Sequence, residues 1–85
     1  MNNLNSHVLR ISILVQLQQC GGNKLPQNAL FAHLNAVLDF AVTEEELQRE
    51  LAWLKSKAYI DFTVDELSEM PRWFITEAGK TKLPK

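Results

Sequence analysis

The sequence predicts a mainly helical α+β domain in which three helices precede a small antiparallel β-hairpin. Three observations carry this reading. Apolar residues recur at helical spacing in three stretches before residue 58, Thr43 and Glu46 mark the start of the third, and residues 59–76 switch to a two-residue alternation. At 85 residues the chain suits one domain, 1–85, with a single modest core. The expected boundaries are helices near 6–20, 27–39 and 43–57, a hairpin near 59–76 and a short C-terminal tail.

In the first helix Ser6 is the expected N-cap, and Gly21-Gly22 the stop. Projected at about 100° per residue, Leu4, Val8, Ile11 and Val15 form one stripe, while Leu9, Ile13, Leu14 and Leu17 cover much of the rest. A helix apolar on two sides needs two sets of neighbours. Either later elements cover both sides, or the second side self-associates. The shortage of neighbours in so small a domain favours a homodimer built partly on this helix.

After the loop Gly21-Gly22-Asn23-Lys24-Leu25-Pro26, the second helix begins at Gln27 or Asn28. Leu30, Phe31, Leu34, Val37 and Leu38 fall in one sector and should face the core, with His33, Asn35, Ala36 and Asp39 outside it. A short turn at Phe40-Ala41-Val42 leads into the third helix. There Thr43 and Glu46 make a capping box, and Glu44, Glu45 and Glu46 together complement the positive end of the helix dipole. Leu47, Leu51, Leu54 and Ala58 form its expected buried stripe.

In the hairpin Ile60, Phe62 and Val64 alternate with Asp61 and Thr63, and Trp73 and Ile75 alternate with Arg72, Phe74 and Thr76. With Ile60 and Ile75 inward, Tyr59 and Phe74 fall on the outer side. The connection, Asp65-Glu66-Leu67-Ser68-Glu69-Met70-Pro71, is acidic, contains the one proline of this region and reads as an exposed tip. Thr76-Glu77-Ala78-Gly79 then starts a last turn before Lys80, Lys82 and Lys85.

Composition excludes several classes of function. A net charge of −1 supplies no electrostatic argument for nucleic acid. Cys20 is the single cysteine, so no internal disulfide or cysteine-rich zinc site can form, and a cytoplasmic protein is expected. Residues 1–6 lack the cationic-then-apolar pattern of a secretory signal, and no stretch suits a membrane span, so no membrane partner is expected. His7 and His33 lack a second histidine at metal spacing, Cys20 has no adjacent base, and Gly21-Gly22-Asn23-Lys24 follows no strand as a phosphate loop would. No catalytic residue, metal or cofactor is therefore assigned.

The capped helix from Thr43 to Lys57, the Leu51-Ala52-Trp53-Leu54 turn, the helix-to-strand switch at Ala58-Tyr59-Ile60 and the ending Ile75-Thr76-Glu77-Ala78-Gly79 resemble a winged helix-turn-helix domain over nearly the whole chain. More narrowly, they look like small winged-helix proteins of Mu-like prophages. Two departures stand out. Many such domains have glycine where Ala58 stands, and many carry cations in the wing where Asp65, Glu66 and Glu69 stand.

The resemblance implies double-stranded DNA as partner and the third helix as the reading element of a transcription regulator. Projection puts Glu45, Arg49, Ala52, Trp53 and Ser56 opposite the buried stripe. On that footing Arg49 and Ser56 are the expected base contacts, and Lys55, Lys57 and Arg72 the phosphate contacts. Glu44, Glu45 and Glu46 oppose this reading at the end of the helix that normally approaches DNA. The alternative is a protein-interaction module anchored by Trp53 and Phe74. For Trp53 the competing structural expectation is packing on helix two or under the hairpin.

Overall fold

The computed structural model describes residues 3–21 and 23–83. Helix α1 (Asn3–Gln19) is followed by β1 (Leu25–Pro26), α2 (Gln27–Val37), α3 (Glu44–Ser56), β2 (Ile60–Val64), β3 (Pro71–Ile75) and the single turn α4 (Glu77–Lys80). The strands form one antiparallel sheet in the order β1-β3-β2. The expected hairpin is thus β2–β3, and a third strand adds to its free edge. Leu25 pairs with Trp73 and Pro26 with Arg72, so a segment expected to be loop ties the start of α2 to the sheet. Pro26 is tolerated because β1 is an edge strand, where a missing N–H breaks no inner ladder.

The core lies between α1, α2, α3 and one face of the sheet. Leu9, Ile13, Leu14 and Leu17 of α1 meet Leu30 and Leu34 of α2, Leu47, Leu51 and Leu54 of α3, and Ile60 and Trp73 of the strands. Each fully buried Leu or Ile removes roughly 1.5–3 kcal/mol worth of apolar surface from water, which is the main force holding these layers together. Trp73 is oriented by its indole N–H, which donates to Gln27 Oε1 at 3.1 Å, and by Phe62, whose ring centroid lies 4.9 Å away.

Several local expectations are corrected. Helix α1 already runs from Asn3, so Ser6 lies inside it and caps nothing; of its expected stop, Gly22 lies outside the described residues, while Gly21 adopts a φ of +63°. Helix α2 ends at Val37 rather than near 39, because Leu38 turns extended and Asn35 captures the following chain. Val37, expected inside, is 56% exposed. Asn35, expected outside the core sector, accepts a bond from the Val42 N–H at 2.8 Å and donates to the carbonyls of Phe31 and Val42. That amide shapes the turn and buries Val42 beside α3.

Ala58 does not extend the buried stripe of α3. It is exposed, with a φ of +62°, the left-handed conformation that glycine adopts without steric cost. The reversal lets the Tyr59 N–H bond the Leu54 carbonyl at 3.1 Å and sends the chain into β2. Thr76 clamps the same corner: its hydroxyl donates to the Ala58 carbonyl at 2.6 Å and its N–H to the Tyr59 carbonyl at 3.0 Å. Gly79 is buried against that corner, where a Cβ would overlap the Tyr59 carbonyl oxygen and lie 2.8 Å from Ile75 Cγ1.

Candidate nucleic-acid interface

Helix α3 is set by its cap. Thr43 Oγ1 accepts from the Glu46 N–H at 3.1 Å, and Glu46 Oε1 accepts from the Thr43 N–H at 3.0 Å. These two reciprocal bonds satisfy donors that a helix start otherwise leaves bare. The Thr43 backbone bond, followed by the Thr43 hydroxyl, holds the Glu46 carboxyl below its ordinary value. Leu47, Glu50, Leu51 and Leu54 face the core, which turns Glu45, Arg49, Ala52 and Ser56 outward, all exposed.

The predicted contact residues divide around this face. Arg49 stands near its middle. Ser56 shares it, but its hydroxyl donates to the Trp53 carbonyl at 2.6 Å, leaving its oxygen lone pairs rather than its proton for a partner. Lys55 lies on the flank toward the sheet, its Nζ 5.6 Å from the Phe62 ring centroid. Lys57 lies on the opposite flank toward α1, its Nζ 5.6 Å from the Trp53 centroid.

Arg72 belongs to another surface. The β2–β3 register pairs Ile60 with Ile75, Asp61 with Phe74, Phe62 with Trp73 and Thr63 with Arg72. Since directly paired residues share a face and alternate along the strand, Arg72 and Phe74 project from the outer face with Asp61 and Thr63. Arg72 Nη2 reaches Asp65 Oδ2 at 3.5 Å, a long and exposed pair of little energetic weight. Phe74 is half-buried beneath Lys24, whose Nζ lies 5.4 Å from the ring and donates to Thr63 Oγ1 at 3.3 Å.

The wing tip is ordered by its own side chains. Asp65 Oδ1 accepts from the Leu67 N–H at 2.9 Å, and Ser68 Oγ accepts from the Met70 N–H at 3.3 Å. The Leu67 N–H is also the main reason the Asp65 carboxyl is held below its ordinary pKa, with Arg72 adding to it. Leu67 itself is 96% exposed between Glu66 and Glu69.

Trp53 is not buried on α2 or under the hairpin; it stays 37% exposed and touches the start of the expected hairpin at Tyr59. It leans toward α1, where the Arg10 guanidinium carbon lies 3.9 Å over its ring centroid, and it meets Tyr59 edge to face at 6.3 Å. Arg10 also donates its Nε–H to Glu50, which is 2% exposed inside the core face of α3. Sequence reasoning missed this pair. A signal existed: Glu50 stands three residues after Leu47 and four before Leu54, so a carboxylate sat within the apolar stripe.

The structure matches the crystal structure of a candidate transcriptional regulator from Thermoplasma acidophilum, with a TM-score of 0.75 and 16% sequence identity, over 94% of this chain and 75% of that one. The fold is a winged helix-turn-helix. At that identity the likeness speaks for the winged-helix fold alone. No family model matches the sequence, nor does any curated protein, and nothing in these comparisons supports the narrower likeness to Mu-like prophage proteins. Among the described residues, no winged-helix element is long and apolar enough to cross a membrane, and no cluster of His, Cys, Asp and Glu could hold a metal ion.

Proposed function

We propose that this winged-helix protein binds double-stranded DNA as a transcription regulator, using the C-terminal half of α3. The carrying observation is the disposition of Arg49, Lys55 and Lys57: an exposed guanidinium in mid-face, with an ammonium on each flank. A helix lying in a major groove meets base edges along its centre and phosphates on both walls, so this spacing suits the duplex. Arg49 and the Ser56 oxygen would read bases, and Lys55 and Lys57 would span the walls. Arg72 and the tail cations Lys80 and Lys82 would reach flanking phosphates; Lys85 lies outside the described residues. Glu44, Glu45 and Glu46 would keep the start of α3 away from the backbone.

Dimerisation belongs to the same proposal. Leu4 and Val8 are 69% and 36% exposed, so the second stripe of α1 lacks full cover among the described residues. A second copy meeting it would bring two α3 helices to one duplex.

The test is titration of a fluorescent random duplex at low and moderate salt, with mass measured by light scattering. The five cations assigned to phosphates in each protomer, Lys55, Lys57, Arg72, Lys80 and Lys82, predict a salt slope of about −4.5 for a monomer and about −9 for a dimer. Arg49→Ala should weaken binding to a selected sequence by about tenfold or more. An absence of binding at low salt would overturn the proposal.

A second reading has its own observation. Leu67, almost fully exposed between glutamates on the wing, is a side chain that DNA would not select. If duplex binding fails, the wing and Phe74, rather than the Arg10-covered Trp53, become the first surfaces to test for a protein partner.

A further inference from the structure

A cleft of about 260 Å³ opens between α1, the end of α3 and the segment after α4. Its walls have an unusual balance for a chain with more acidic than basic residues: Arg10 and Lys82 line it, and no aspartate or glutamate does. Trp53 and Tyr59 form an edge-to-face pair along one side. Arg10 covers the Trp53 ring, and Lys82 Nζ lies 5.6 Å from the Tyr59 centroid. Leu14 and Leu54 supply apolar wall.

Glu50 engages only the Nε–H of Arg10, from behind the cleft. The Nη groups of that guanidinium find no acceptor among the described residues, and its side chain is 31% exposed. An arginine held by a buried carboxylate on one edge and an indole face beneath is pre-oriented, and its remaining fork matches the two oxygens of a carboxylate. The predominantly apolar walls call for a carbon body on the anion, which inorganic phosphate lacks. The volume falls just below the roughly 300–1,000 Å³ of pockets for drug-sized ligands, which suits one ring or a short chain and excludes a nucleotide.

We propose that this cleft binds a small organic carboxylate with an apolar body, its carboxylate between Arg10 and Lys82. The site requires no DNA, although it borders the outward face of α3 at Trp53 and shares Lys82 with the proposed phosphate contacts. It is tested on the full-length ¹⁵N-labelled chain by titrating sodium benzoate and sodium octanoate at constant ionic strength, with benzamide as the neutral match. The readout is the Trp53 indole N–H, with buried Trp73 as internal control. At least one carboxylate should shift the Trp53 signal to saturation, with a dissociation constant of about 0.1–10 mM for so few ligand atoms. Benzamide should bind several-fold more weakly than benzoate. Lys82→Gln, an exposed change that leaves the core intact, should weaken the carboxylate about threefold, and Lys80→Gln, at a side chain that pairs with Glu77 and does not line the cleft, should leave it unchanged. Arg10→Lys, checked for folding by circular dichroism, should weaken it further by removing the fork. Saturation by neither carboxylate within that range, equal binding of benzamide and benzoate, or indifference to Lys82→Gln would each overturn the proposal.

Discussion

The substitution Arg10→Met interrogates the ion pair that reaches into the core, Arg10 with Glu50. Glu50 is 2% exposed, and its charge is met by the Arg10 Nε–H. Removing a single partner of a buried pair costs about 3–5 kcal/mol, because the other charge stays desolvated without compensation. Here the Arg10 side chain keeps 31% exposure, so water can follow the deleted guanidinium toward the carboxylate, which places the cost near the lower bound. Loss of the cation–π contact, at 3.9 Å from the Trp53 centroid, adds about 0.5–1 kcal/mol. The expected total of about 3–4 kcal/mol is a large share of the roughly 4–13 kcal/mol that a chain of this length holds.

The reverse change should be far milder. In Glu50→Leu the half-exposed Arg10 can swing its head into solvent while its stem stays on Trp53, so the expected cost is within about 1 kcal/mol. The double variant Arg10→Met with Glu50→Leu replaces the pair by apolar groups and should return to within about 1 kcal/mol of the parent. Urea unfolding followed by far-ultraviolet circular dichroism measures all four corners of the cycle. In thermal melts Arg10→Met should fall by about 12–32 °C, at about 4–8 °C per kcal/mol. If Arg10→Met costs less than about 1 kcal/mol, or if the double variant loses the sum of the singles, Glu50 is not a buried charge sustained by Arg10 and the reasoning fails.

Other consequences of the fold are equally checkable. Ala58→Gly relieves a φ of +62° and should raise stability by about 0.5–1 kcal/mol in a melt, the strain relief exceeding the entropy glycine adds to the unfolded chain. Gly79→Ala forces a methyl into the Tyr59 carbonyl and should cost about 2–4 kcal/mol, read from the same transition. The Glu46 carboxyl is held below its ordinary 4.5 by the Thr43 bonds, so the unfolded chain takes up this proton first as the pH falls. Its contribution is therefore complete above pH 4.5 and drains away as the pH drops through the lower folded value. Glu46→Gln should melt below the parent near neutrality, with the gap closing in acid; a gap constant with pH would refute this assignment.

What could be read from the sequence tracks how local each determinant is. The start of α3 was legible because Thr43 and Glu46 lie within one turn and specify a cap without help from the rest of the chain. The β2–β3 alternation was legible for the same reason. Strand β1 was not, since two residues carry no period and the pairing of Leu25 with Trp73 joins distant parts of the chain. Ser6 misled because a good capping residue caps only where a helix begins, and α1 begins before it. Projection placed Trp53 off the buried stripe of α3 but could not name its neighbour, because Arg10 arrives from a different helix. Glu50 shows the same limit: its angular position was visible, whereas its partner lies 40 residues away. For the candidate interface, the angular order of Arg49, Ser56, Lys55 and Lys57 followed from the helical repeat. The separation of Arg72 onto the outer sheet face required the strand register.

Charge along α3 needs the same separation of local from functional causes. Glu44, Glu45 and Glu46 stand in its first turn and Lys55 in its last, where the helix dipole alone favours them. Neither end taken alone is therefore evidence of a partner; only the placement of Lys55 and Lys57 on either side of Arg49 counts toward one. Arg49 is different, because it stands in mid-helix where the dipole offers little. Its competing explanation is an exposed attraction to the glutamates one turn earlier, Glu46 and Glu45, worth about 0.2–0.5 kcal/mol for each pair. Stability and affinity measured on the same Arg49→Ala protein separate the two causes. A loss of duplex affinity of about tenfold, which is about 1.4 kcal/mol, with stability changed by less than that pair energy would place the role of Arg49 in recognition. A loss of stability with affinity unchanged would return Arg49 to the helix surface and leave α3 with no residue that its own folding does not explain.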